Sequence, residues 1–221
     1  MKFDYGHLSA DDNPSVIFRG IVGSHAYGTA NAASDTDVRG VFVVPSREYV
    51  RLAPPPKQVS DERNDRTYYS LLRFCELMAE ANPTTMEMLY LPPDCILKTT
   101  AAFELLAKNR DLFISQRAVD SHLGYAVSQI KKARGCNKRV WNPFSGENIV
   151  KCGEPIVRFE GEKLATLLSI RRGEWTFDEI MAHAEKIQAE IESGKGCLPV
   201  ESDKARIDAL IAEVMNVAEV T

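Results

Sequence analysis

Two carboxylates one residue apart, Asp35 and Asp37, follow a Gly23-Ser24 pair, with Asp35 eleven residues beyond Ser24. Like charges held side by side repel, and a hard divalent cation relieves that repulsion through oxygen ligands. A glycine-serine turn offers backbone N–H groups and a hydroxyl, which are suitable donors to phosphate oxygens. The chemistry these residues suggest is a metal clamp beside a phosphate-binding turn.

Such a pair acts together only if the chain positions it. Val16-Ile17-Phe18-Arg19-Gly20-Ile21-Val22 is β-prone and runs into Gly23, which permits a tight turn. Val38-Arg39-Gly40-Val41-Phe42-Val43-Val44 is β-prone again and stops at Pro45. The expected arrangement is strand, turn and a second strand headed by Asp35 and Asp37, whose side chains then point into one space because residues two apart share a strand face. Arg39 continues that face, where it either neutralises the carboxylates, binds phosphate or forms a structural salt bridge.

Further along, Val50 to Asn64, with Pro54-Pro55-Pro56, reads as a surface loop on the active-site side and as a candidate flap. Residues 65–69 suggest a short third strand. Leu71, Leu72, Phe74, Cys75, Met78 and Ala79 carry the spacing of an amphipathic helix, stopped by Asn82-Pro83 and restarted at Thr84 or Thr85. Beyond about residue 98 the pattern is helical: 100–108, 115–134, 162–172, a helix opened by the capping box Thr176-Phe177-Asp178-Glu179, and a last one from Ser202 with Ile207, Leu210, Ile211 and Val214 on one face. Residues 134–158 read as a long connection. The fold class is therefore α+β, with an expected core at 1–113 and a helical C-terminal region at 114–221.

Composition narrows the function. Of 221 residues, 44% are hydrophobic and 26% charged, as in ordinary globular proteins, and no apolar run approaches the length of a membrane span. Five scattered cysteines without a C-x-x-C argue against a disulfide framework and a structural zinc site. With no signal-like apolar stretch at the N-terminus, the expected location is cytoplasmic. A net charge of −4 excludes a generally basic nucleic-acid coat but not a local basic groove. A P-loop is absent.

The string Gly23-Ser24-His25-Ala26-Tyr27-Gly28-Thr29, followed by Ser34-Asp35-Thr36-Asp37-Val38-Arg39-Gly40-Val41, resembles the DNA-polymerase-β-like nucleotidyltransferase superfamily. With Tyr69 to Phe74 and Asn82 to Leu89, it looks like the RNA-ligase-associated branch of bacteria and phages. His122 to Ala126, Ile170 to Trp175 and Leu198-Pro199 extend the likeness.

The resemblance implies a small mixed sheet with helices on one side. It also implies transfer of a nucleoside monophosphate from an NTP to a hydroxyl, an RNA 3′ end in that branch, with release of pyrophosphate. Gly23 and Ser24 would contact the triphosphate, with His25 and Arg39 as further nucleotide-binding candidates. Asp35 and Asp37 would hold Mg²⁺ or Mn²⁺. A third carboxylate usually completes the site, and Asp65 is the candidate, with Asp61 and Glu62 as competitors. The branch carries a Lys-His-Ala-type helical stretch for which residues 148–160 are too short. Two alternatives therefore stand beside this reading: transfer to a protein or small-molecule hydroxyl, and a non-catalytic nucleotide- or RNA-binding module.

Several residues have plainer readings. His25 fits a solvent-facing or supporting place beside the turn as well as a phosphate or base contact. Arg73 and Glu87 suit a supporting role at the site, but a helix-surface ion pair is the usual reading of such residues. Tyr68 and Tyr69 suit either base stacking or packing, with packing favoured for at least one. Lys131, Lys132, Arg134, Lys138, Arg139 and Trp141 suit single-stranded RNA contact or a solvated helix end. His122 and His183 show no ligand spacing.

Overall fold

Strand register decides which residues share an end of the sheet. In a computed structural model, which describes residues 13–133 and 144–220, β1 (Val16–Val22) leads through a single helical turn, α1 (Ser24–Tyr27), to β2 (Asp37–Phe42). Then come β3 (Gln58–Ser60), β4 (Arg66–Ser70), α2 (Leu71–Ala79), α3 (Pro83–Met88), β5 (Ile96–Thr99) and α4 (Ala101–Lys108). The C-terminal half carries α5 (Gln116–Ala133), α6 (Phe144–Cys152), α7 (Gly161–Arg171), α8 (Phe177–Gly194) and α9 (Lys204–Val220). The architecture is α+β, as expected.

The five strands form one mixed sheet in the order β3-β4-β2-β1-β5. β1 and β2 are antiparallel with Val22 opposite Asp37, and β4 runs parallel to β2 with Arg66 opposite Val38. The end of β1, the start of β2 and the start of β4 therefore meet at one end of the sheet. One hydrophobic core cluster extends from Phe18, Phe74 and Met78 through Phe103 and Leu106 to Phe159, Ile191 and Val214, so α9 closes on the same core as the sheet. A smaller cluster of Val16, Phe42, Val44 and Tyr68 packs separately. Tyr68 and Tyr69 are both buried.

Four local expectations need correction. Asp35 precedes β2, and only Asp37 lies in it. The loop at Val50 to Asn64 is not one flap on the active-site side. Gln58–Ser60 forms an edge strand antiparallel to β4, which carries residues 50–57 to the opposite end of the sheet; there the Ser70 amide donates to the Lys57 carbonyl at 3.0 Å. β5 pairs with β1 at the other edge, ahead of the helical half. Within the expected connection at 134–158, α6 buries Phe144, Gly146 and Ile149. A Cβ built on Gly146 would stand 3.4 Å from Ile191 and 3.5 Å from Leu123, so packing against neighbouring helices fixes a stretch of low helix propensity.

Asn82 does more than stop α2. Its Oδ1 accepts from the Thr85 amide at 3.3 Å, with Pro83 at the first helical position, so Asn82 itself caps α3.

Candidate functional site

Gly23 sits at φ 69°, ψ −140°, a backbone region nearly reserved for glycine, and turns the chain from β1 into α1. A Cβ built there would lie 3.3 Å from Asp37 Oδ2, so the carboxylate rests directly over the turn. The Tyr27 amide donates to the Gly23 carbonyl at 2.9 Å, and the Thr29 amide to the Ser24 carbonyl at 2.9 Å. His25, next to Ser24, is half-buried, and its Nε2 has no hydrogen-bond partner among the described residues.

Asp65 arrives by register. The Val38 amide donates to the Asp65 carbonyl at 2.7 Å, joining the residue before β4 to the second residue of β2. Arg39 fastens the same corner. Its Nη1 donates to the Val38 carbonyl at 3.0 Å and to the Asp65 carbonyl at 3.1 Å, while Nη2 stands 3.5 Å from Asp37 Oδ1. Burial raises the Asp37 pKa above its ordinary value, Arg39 opposes the rise, and the charges of Asp65 and Asp35 add to it. Asp35 is exposed; Asp37 and Asp65 are half-buried.

Among the described residues no three His, Cys, Asp or Glu side chains form a ready-made metal cage. A hard cation taken largely by substrate phosphates, water and one or two carboxylates needs no such cage. The donor set fits Mg²⁺ in that sense: oxygen ligands only, and carboxylates whose mutual repulsion a cation would relieve.

Around the turn stand residues that sequence reasoning undervalued. Glu87 is buried, and its Oε2 accepts from the Tyr27 hydroxyl at 2.7 Å. It is therefore not half of a surface ion pair. Arg73 instead pairs with Glu76, at 3.0 Å along α2. Burial lifts the Glu87 carboxyl to about 7, while the Tyr27 hydrogen bond pulls the other way. From the C-terminal half, Arg158 Nε donates to the Ala26 carbonyl at 2.8 Å, and its Nη2 contacts Asp94 Oδ2 at 2.8 Å. The Phe159 amide donates to the Tyr27 carbonyl at 3.2 Å. Tyr27 and Glu87 lie within the stretches that carry the resemblance, whereas no sequence pattern marked Arg158 or Phe159. The basic stretch around Lys131 to Trp141 lies, in its side chains, outside the described residues.

A strand ending in a Gly-Ser turn beneath the first carboxylate of the next strand is the arrangement expected of polymerase-β-like nucleotidyltransferases. Residues 5–140 match the RNA repair pathway DNA polymerase beta family, and the chain belongs to that family. An uncharacterized 38.9 kDa protein in the nrdC-mobD intergenic region of Enterobacteria phage T4 is 29% identical over 129 residues, 52% of this chain and 38% of that protein. The match thus spans well under half the relative's length. No solved structure matches the chain. No helix among the described residues is long and apolar enough to cross a membrane.

Proposed function

We propose that this protein is a metal-dependent nucleotidyltransferase that moves a nucleoside monophosphate from an NTP to a hydroxyl, with an RNA 3′ end as the acceptor. The observation carrying this reading is the single corner at which Gly23 lies beneath Asp37 Oδ2 and the backbone of Asp65 is bonded to β2. Family membership supports the class of reaction, and the RNA repair pathway in the family's description supports the acceptor.

The Gly23-Ser24 turn receives the triphosphate, and half-buried His25 offers a further donor at its edge. Asp35 and Asp37, with Asp65, would hold Mg²⁺ or Mn²⁺. When bound, the ion supplies charge neutralisation on the phosphates and orients the attacking oxygen. Asp65 takes the acceptor's proton as the hydroxyl oxygen bonds to the α-phosphorus and the bond to the β-phosphate oxygen breaks, releasing pyrophosphate. Arg39 holds the Asp37 and Asp65 corner rigid, so positioning and electrostatics supply the rate.

The test is labelled ATP, CTP, GTP and UTP with Mg²⁺ and an RNA oligonucleotide, resolved by gel. We expect extension by the wild type, and a loss of at least about a hundredfold in Asp37→Asn and Asp35→Ala with the fold retained. Wild-type rates in both variants would overturn the mechanism.

A further inference from the structure

Residues 28–34 link the phosphate turn to Asp35 and belong to no helix or strand. The segment ties itself internally: the Asn31 amide donates to Ser34 Oγ at 2.9 Å, the Ala33 amide to Asn31 Oδ1 at 3.0 Å, and the Ser34 amide to the Asn31 carbonyl at 3.0 Å. These bonds close the turn from Asn31 to Ser34 on itself but do not join Ser34 to Thr29 at the other end of the segment. One side chain reaches both. Arg171, the last residue of α7, donates through Nη1 to the Thr29 carbonyl and through Nη2 to Ser34 Oγ at 3.1 Å. Thr29 is itself buried and bonded to the Ser24 carbonyl, so the guanidinium connects the phosphate turn to the residue before Asp35.

We infer that Arg171 is a positioning residue of the transfer site, holding the Gly28–Asp35 loop so that Ser24 and Asp35 keep a fixed separation. The inference rests on the proposed assignment of the Gly23-Ser24 turn and the Asp35–Asp37 pair to that site. Arg171 lies beyond residues 5–140 that match the family, and although the Ile170 to Trp175 stretch resembles the branch, that resemblance assigns Arg171 no role. A planar fork with two parallel donors suits two acceptors at the ends of a loop, whereas an ammonium is a single point charge. The neighbouring Arg172 provides the contrast: its Nη2 meets Glu174 Oε2 at 3.1 Å on the exposed surface.

The experiment compares wild type, Arg171→Ala, Arg171→Lys and Arg172→Ala as full chains. Amide hydrogen exchange is followed on peptides covering residues 28–36 and on α8, and binding of Mg²⁺ with each of the four NTPs is measured by calorimetry. Arg171→Ala is expected to speed exchange in the loop by at least about tenfold, to leave α8 unchanged, and to weaken nucleotide binding at least about tenfold. Arg171→Lys falls between, keeping one of the two bonds, and Arg172→Ala behaves as wild type.

Unchanged loop exchange in Arg171→Ala, or faster exchange with full nucleotide affinity, overturns the inference. If Arg171→Ala loses α8 protection as well, Arg171→Lys decides by the same two criteria. Should wild type bind no Mg²⁺–NTP, the site assignment fails, while loop exchange still decides whether Arg171 holds the segment.

Discussion

Gly23 joins backbone freedom to the site. Its φ of 69° with ψ of −140° excludes a side chain on conformational grounds, and the space above it belongs to Asp37. Gly23→Ala is therefore expected to cost about 1–3 kcal/mol of stability, read from the denaturant midpoint, and to displace the Asp37 carboxylate. Nucleotide transfer should fall far more than that stability loss accounts for; full activity in a folded Gly23→Ala protein would show that Asp37 need not rest over the turn. The turn at Gly23 and its closeness to Asp37 were legible because the pattern is local, a strand, a tight turn and a second strand, whereas the start of β2 after Asp35 was not. The contact of Arg171 with Ser34 was not legible, although Ile170 to Trp175 belongs to the resemblance, because the two residues lie 137 apart in sequence and no local pattern encodes such a contact.

Elements were legible where the sequence carries their own stop and start signals. Thr176 and Glu179 form the expected capping box: the Glu179 amide donates to Thr176 Oγ1 at 3.3 Å, and the Thr176 amide to Glu179 Oε2 at 2.7 Å. Removing the hydroxyl leaves the first turn of α8 with an unsatisfied donor. Thr176→Ala should lower stability by about 1 kcal/mol and the melting temperature by about 2–4 °C, without changing transfer. An unaltered melting curve would mean that α8 is held by its buried Ala184, Ile187 and Ile191 alone. The elements that escaped notice have no such signals. β3 and β5 are edge strands of three and four residues with largely exposed side chains, so no alternation of polar and apolar residues marks them. They exist because β4 and β1 offer unpaired backbone groups.

At the scale of the whole molecule, two buried titratable groups oppose each other. Burial lifts Glu87 to about 7. Burial also lowers His122 to about 4, against a smaller opposite effect of its hydrogen bond with the Ala118 carbonyl. In the unfolded chain Glu87 loses its proton near 4.5, so between pH 4.5 and 7 the folded state binds the extra proton and stability falls as pH rises. His122 works in reverse: between pH 4 and 6.5 the unfolded chain binds the extra proton, and stability rises with pH. Each shift corresponds to roughly 3 kcal/mol. Around pH 5.5 the folded protein carries one proton on Glu87 and none on His122, the unfolded chain the reverse, so the two slopes nearly cancel. Surface carboxylates with lowered values, such as Glu76 and Glu179, act mainly below pH 4.5 and are screened by solvent. The wild type should thus show nearly flat stability from pH 4.5 to 6.5 in urea titrations. Glu87→Gln keeps an acceptor for Tyr27 and removes one slope, so its stability should climb steadily over that range, by about 2 kcal/mol. A Glu87→Gln profile as flat as the wild type's would mean that the Glu87 proton is held no more tightly in the folded protein than in the unfolded chain.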